Sequence, residues 1–163
     1  MVNHTFQKQS SLSQFEIVNT NGRQKLSIPT IKATRKGFYK DVHIDYSTKW
    51  QVEHWRSIEN AYLKSPFFLY YGYKIEEAFK THYTSLLEYN LALIKTILKC
   101  IKLDNELVTD TETPIYFEET PISTSEKYPQ VFDSKLAFEE NLCILDLLFN
   151  LGPETLDYLK QVR

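Results

Sequence analysis

Between residues 5 and 31 apolar and polar side chains alternate in two short runs joined by a turn. Phe15 and Ile17, then Leu26 and Ile28, lie on two alternating runs separated by Asn19-Thr20-Asn21-Gly22, whose Asn-Gly pair offers the positive-φ positions of a tight hairpin. Lys40 to Tyr46 alternates again, with Val42, Ile44 and Tyr46 on one face and Asp41, His43 and Asp45 on the other, the pattern of a half-buried strand. Beyond this point the period lengthens to that of a helix. Ser47 or Thr48 is placed to cap a helix that carries Trp50, His54, Ile58, Ala61 and Tyr62 and stops at Pro66. The aromatic run Phe67 to Tyr71 precedes Gly72; a second helical stretch is expected from Ile75 to Tyr83, then a longer one along the seam Leu87, Leu91, Ile94, Leu98 and Ile101. Residues 104–134 are polar, marked by Pro114, Pro121 and Pro129, and broken only by the β-like Ile115-Tyr116-Phe117, so the segment reads as a long surface connection. Asn141 is expected to cap a helix from Leu142 to Leu151, closed by Gly152, and Pro153 to open a last helix ending near Val162.

These elements predict a single α/β or α+β domain over residues 1–163, with an antiparallel or mixed sheet from the N-terminal half covered by four to five helices. A chain of 163 residues with 42% hydrophobic content can bury a core without disulfides or a structural metal. The net charge of -2 and the lack of basic stripes exclude nucleic acid as an expected partner. No apolar run reaches the roughly 18 residues of a membrane span. The N-terminus carries no export signal. With Cys100 and Cys143 as the only cysteines, both read as thiols in a reducing compartment, a cytoplasmic protein is expected.

Three blocks set the chain beside known sequences. They are Lys40-Asp41-Val42; Trp50 with His54-Trp55, Ser57-Ile58, Ala61-Tyr62, Ser65-Pro66-Phe67-Phe68 and Tyr70-Tyr71; and Asn141-Leu142 running through Asp146-Leu147-Leu148-Phe149-Asn150 to Gly152-Pro153-Glu154. Together with Phe6-Gln7-Lys8-Gln9 and Tyr128, Gln130, Val131 and Phe132, this order resembles the WbqC-like protein family. The resemblance implies a role in bacterial surface-polysaccharide (O-antigen) synthesis on an amino-sugar precursor, with acyl or aminoacyl transfer as the favoured chemistry. A non-catalytic binding or assembly protein, or an inactive truncated relative, is the alternative. Two departures from the family pattern stand out. The family's members usually begin further upstream with a strand carrying a Tyr-Leu-Pro segment, whereas Met1 here stands almost on the Gln7-Lys8-Gln9 block; that strand is expected to be missing, with a sheet edge left to invite a homodimer. Where the family tends to read Tyr-Arg-Asn-Arg, this chain has Ser11-Leu12-Ser13-Gln14, so cations suited to an anionic substrate are absent.

Candidate chemistry starts with His54, a helical histidine beside Trp50 and Trp55 that is a general base if a cleft reaches it and otherwise a hydrogen-bonded core side chain. Asp146 or Asp41 would orient it as the carboxylate of a base-acid pair. Asp146 and Asn150 share one face of an apolar helix, however, where partners for buried polar groups and a tie to the Gly152-Pro153 turn serve equally. Asp41, His43 and Asp45 offer metal-ligand types on one strand face, yet solvated strand polars explain them as well, and no metal site is expected. Cys143 is weighed as a nucleophile and set aside as packing. Tyr62, Tyr70, Tyr71, Tyr128 and Gln130, with Asn150, are candidates to hold a sugar, against packing at the core and cleft rim. No nucleophile elbow, phosphate loop or paired-cysteine signature occurs, and no cofactor can be named.

Overall fold

The computed structural model describes residues 6–7, 9–103 and 126–162. The β-like Ile115-Tyr116-Phe117, Pro114 and Pro121 lie outside the described residues. Two strands, β1 (Gln14–Asn19) and β2 (Gly22–Ser27), pair antiparallel with Phe15 opposite Leu26 and Ile17 opposite Gln24. At their turn only Gly22 takes a positive φ, +101°, while the Asn19 side chain accepts the Asn21 N–H at 2.8 Å. Asn first and Gly last is the signature of a type I turn, so the hairpin is formed as expected but the positive φ falls on glycine alone.

The strand expected over 40–46 is not one. Tyr39–Asp41 form a 3₁₀ turn, and the residues after it make only isolated bridges, Ile44 with Thr30 and His43 with Ser85. Their burial alternates as the sequence predicts, with Val42 and Ile44 buried. Their backbone partners, however, come from loops: Ile44 N–H donates to the Thr84 carbonyl and Asp45 N–H to the Pro29 carbonyl, each at 2.9 Å. The alternation records a buried extended segment without a neighbouring strand to extend the sheet, and the fold is accordingly α+β with a two-stranded sheet. The outer edge of β2 carries Arg23 and Lys25 and pairs with no strand among the described residues.

Five α-helices follow: α1 (Trp50–Tyr62), α2 (Phe68–Lys80), α3 (Leu86–Cys100), α4 (Ile144–Leu151) and α5 (Thr155–Gln161). Helix α1 starts two residues later than its expected caps, because Ser47 is drawn into a turn in which its N–H donates to Asp45 Oδ1 at 2.9 Å. Helix α2 begins at Phe68, well before Ile75, and runs through Gly72. Phe68, Gly72, Ile75 and Phe79 fall on one buried stripe, and a Cβ on Gly72 would sit 3.2 Å from the Phe68 ring, so the glycine is the seat of that ring and not a break. On α3 the buried positions are Leu86, Tyr89 and Cys100, flanked by half-buried Leu93 and Ile97, a stripe shifted from the expected seam. At α4 the N-cap is Cys143, without a side-chain cap, and Asn141 instead takes φ +54° in the approach to it.

The aromatic residues meet at the centre. Trp50 lies edge-on to Phe79 and Tyr89, with ring centroids 5.9 and 5.7 Å apart, and Phe68 meets Phe149 of α4 at 5.0 Å. The link between the second and third sequence blocks is made by backbone and glycine together. Phe67 N–H donates to the Phe149 carbonyl at 3.0 Å, and the Phe67 ring occupies the place where a Cβ on Gly152 would fall, 2.5 Å away.

Candidate functional site

Asp146 lies in the first turn of α4 with no solvent exposure. Its Oδ2 accepts from the Tyr128 hydroxyl at 2.5 Å and from Gln130 Nε2 at 3.0 Å. Gln130 is held in turn by the Glu139 backbone: Nε2 donates to its carbonyl at 2.9 Å and Oε1 accepts its N–H at 3.0 Å. Asn150, one turn on, donates to the Asp146 carbonyl at 2.8 Å. The Tyr62 hydroxyl stands close enough for each group to shift the other's titration. No hydrogen bond of good geometry joins it to Asp146, and Oδ1 has no other partner among the described residues. Burial raises the Asp146 pKa against the pull of its three polar neighbours, and burial likewise pushes the Tyr62 and Tyr128 hydroxyls up. The structure thus gathers Tyr62, Tyr128 and Gln130 around the buried Asp146 carboxyl, with Asn150 on the Asp146 backbone carbonyl.

The remaining candidates lie apart from that cluster. His54 is half-buried on α1, with the Trp50 ring centroid at 5.4 Å and that of Phe15 at 6.3 Å. Its Nδ1 is buried and makes no hydrogen bond among the described residues, so neither Asp146 nor Asp41 is bonded there. Burial lowers the His54 pKa, opposed by the Glu53 charge, and the imidazole is neutral at pH 7. Asp41 is exposed beside Gly37, and Asp45 is occupied by Ser47. Among the described residues no group of three or more His, Cys, Asp or Glu side chains converges as a metal holder. Tyr70 is 73% exposed on the outer face of α2, and Tyr71 beside it is half-buried.

An open cleft lies elsewhere, between the segment leading into β1, α2, α3 and the start of α4. Its inner chamber, about 280 Å³, has walls of Leu12 and Phe15, Ile75 and Phe79, and Leu93 and Ile97. A neighbouring polar pocket, about 440 Å³, is lined by Gln9, Ser10, Glu16, Lys25 and Asn141. The two share Ser11, Gln14, Phe15 and Cys143, so an apolar and a polar pocket lie side by side across these residues. The Cys143 thiol at this junction is pushed up to about 12 by burial, and stays protonated at neutral pH. His54 does not line the cleft; the Phe15 ring, which it touches edge-on, does.

Of the cleft residues, the sequence marks Cys143 as a functional group to be weighed, Ser11, Leu12 and Gln14 as a departure from the family pattern, and Gln9, Asn141 and Leu142 as parts of the family blocks. The apolar positions of α3 gave the strongest remaining signal, since Ile94 and Leu93 continue an apolar surface wider than a helix needs to bury against α2 alone.

Among the described residues no helix is long and apolar enough to cross a membrane. No curated protein and no solved structure matches the chain. A model of the WbqC-like protein family matches residues 2–121. That span takes in Asp41, His54, Tyr62, Tyr70 and the N-terminal, α2 and α3 walls of the cleft, and ends before Tyr128, Gln130 and the Asp146 block. Since the match covers well over half of its length, the chain belongs to the WbqC-like protein family.

Proposed function

We propose that this protein handles an amino-sugar precursor of bacterial surface-polysaccharide (O-antigen) synthesis in the two-part cleft, and serves acyl or aminoacyl transfer to that sugar. The single observation behind this is the junction of an apolar chamber with a polar pocket at Ser11, Gln14 and Cys143. Gln14, Ser10 and Asn141 offer the amide and hydroxyl groups that sugar hydroxyls need, beside the hydrophobic surface that binding sites use for affinity. With Leu12 and Gln14 where the family tends to carry arginine, the substrate suited to this copy is uncharged at that end.

In the transfer, the sugar's amine nitrogen attacks the carbonyl carbon of an activated acyl donor. A C–N bond forms, the bond to the donor's leaving group breaks, and the amine proton passes to a base. His54, neutral because burial holds its pKa down, stands behind Phe15 outside the cleft lining, so it positions that ring and the proton passes to solvent water. Asp146, bonded to Tyr128 and Gln130, maintains the shape of α4 and is not the orienting carboxylate in this scheme.

One observation favours the second reading, a protein that binds such a sugar without turning it over: His54 Nδ1 has no carboxylate partner among the described residues. Incubating the protein with glucosamine and acyl or aminoacyl thioesters, followed by mass spectrometry, separates the two. N-acylated product formed only with the protein present supports transfer. Saturable glucosamine binding without product supports the binding protein, and absence of both binding and product overturns the proposal.

A further inference from the structure

The inner chamber offers little to a sugar ring. Its walls bring together Leu12 and Ile28, Ile75 and Phe79 of α2, and Leu93 and Ile97 of α3, and among the described residues no Asp, Glu, Lys, Arg or His lines it. Asn90 at its edge is engaged. Asn90 Nδ2 donates to the Leu12 carbonyl at 2.7 Å and to the Tyr39 hydroxyl. A protonated amine in the chamber would lose its water without gaining a counter-charge, which is far more costly than burying a methylene in the same place.

At about 280 Å³ the chamber has room well beyond a methyl group. It adjoins the polar pocket at Ser11, Gln14 and Cys143, so a molecule with a polar head on one side of these residues and an apolar tail on the other meets matching surface on both.

We propose that the chamber is the subsite for a hydrocarbon chain, so that the group carried on the amino sugar is a linear aliphatic acyl group and not an aminoacyl or other charged one. This rests on the sugar-binding reading above and decides between its two group types. The chain lies along Leu93 and Ile97 of α3, its carbonyl stands at the Ser11, Gln14 and Cys143 junction, and the ring occupies the polar pocket.

The test is isothermal titration of the whole protein with N-acetyl-, N-propanoyl-, N-butanoyl- and N-hexanoylglucosamine, and with N-glycylglucosamine, the charged isostere of the propanoyl compound. Affinity is expected to rise by about fourfold for each methylene added. The glycyl compound should bind at least tenfold more weakly than the propanoyl one. Ile97→Trp, which fills part of the chamber, should lose the chain-length increments; if that variant fails to fold, the series on the parent protein alone decides. Equal affinity across the series, or glycyl binding as well as propanoyl, overturns the hydrocarbon subsite and leaves sugar binding standing. No binding by any of the compounds overturns both.

Discussion

Burying a carboxyl with Tyr and Gln neighbours, and no cation, leaves its ionisation dominated by desolvation. The folded chain therefore holds the Asp146 proton more tightly than the unfolded chain. Between the ordinary carboxyl value of 3.8 and the raised folded value, stability falls as pH rises. Asp146→Asn keeps an acceptor for Tyr128 and Gln130 and is expected to flatten that slope, as urea midpoints followed from pH 4 upward would record. Asp146→Ala strands both donors instead and is expected to cost roughly 1–3 kcal/mol at any pH. His54 has the opposite slope: its folded pKa lies below the ordinary 6.5, so stability contributed by the neutral ring is lost as pH falls below that value. A proton NMR titration should place the His54 midpoint under 6.5. Gly152 has φ +55° and the Phe67 ring where a Cβ would go, so Gly152→Ala is expected to destabilise by more than about 1 kcal/mol in chemical denaturation. That Asp146 and Asn150 need partners was legible in the sequence, because both are polar groups in an apolar helix. Which partners they find was not, since Tyr128 and Gln130 reach Asp146 from a segment with no periodicity of its own.

At the scale of elements, the helices followed from their apolar spacing where burial is one-sided, as in α1 and α5. The start of α2 was hidden because Phe68, Leu69, Tyr70 and Tyr71 are apolar or aromatic on every side, and Leu69 and Tyr70 stay exposed. Period cannot be read from a run without polar interruption. The extended segment after Tyr39 shows the converse, since alternating burial is shared by strands and by chains threaded between loops. Arg23 of β2 bridges elements that the sequence kept far apart. It contacts Glu16 at 3.0 Å, the Glu139 carboxylate and the Glu140 carbonyl, tying the hairpin to the segment that carries Gln130. Glu16 is correspondingly held below the usual carboxylate range, most of all by its hydrogen bond to Arg23. Because these groups are partly exposed, Arg23→Ala should leave the global midpoint nearly unchanged. Faster amide hydrogen exchange at Glu139, read by mass spectrometry, is the expected local effect, and unchanged exchange would dissociate the hairpin from that segment.

At the scale of the whole molecule, the aromatic centre made by Trp50, Phe79 and Tyr89 fixes α1, α2 and α3 against one another and leaves the cleft open on the far side of Ile75 and Phe79. Class and approximate helix content were legible in the sequence; the cavity was not. Its walls come from four separate segments, and each wall residue alone reads as ordinary core. The most direct measurement is a titration of isotope-labelled protein with N-hexanoylglucosamine, followed by amide chemical shifts. Saturable shifts at Ser11, Gln14, Leu93, Ile97 and Cys143, with Asp41 and Tyr70 unmoved, are the expected result. Shifts centred on the outer face of α2, or on Asp41 with the cleft silent, would contradict it.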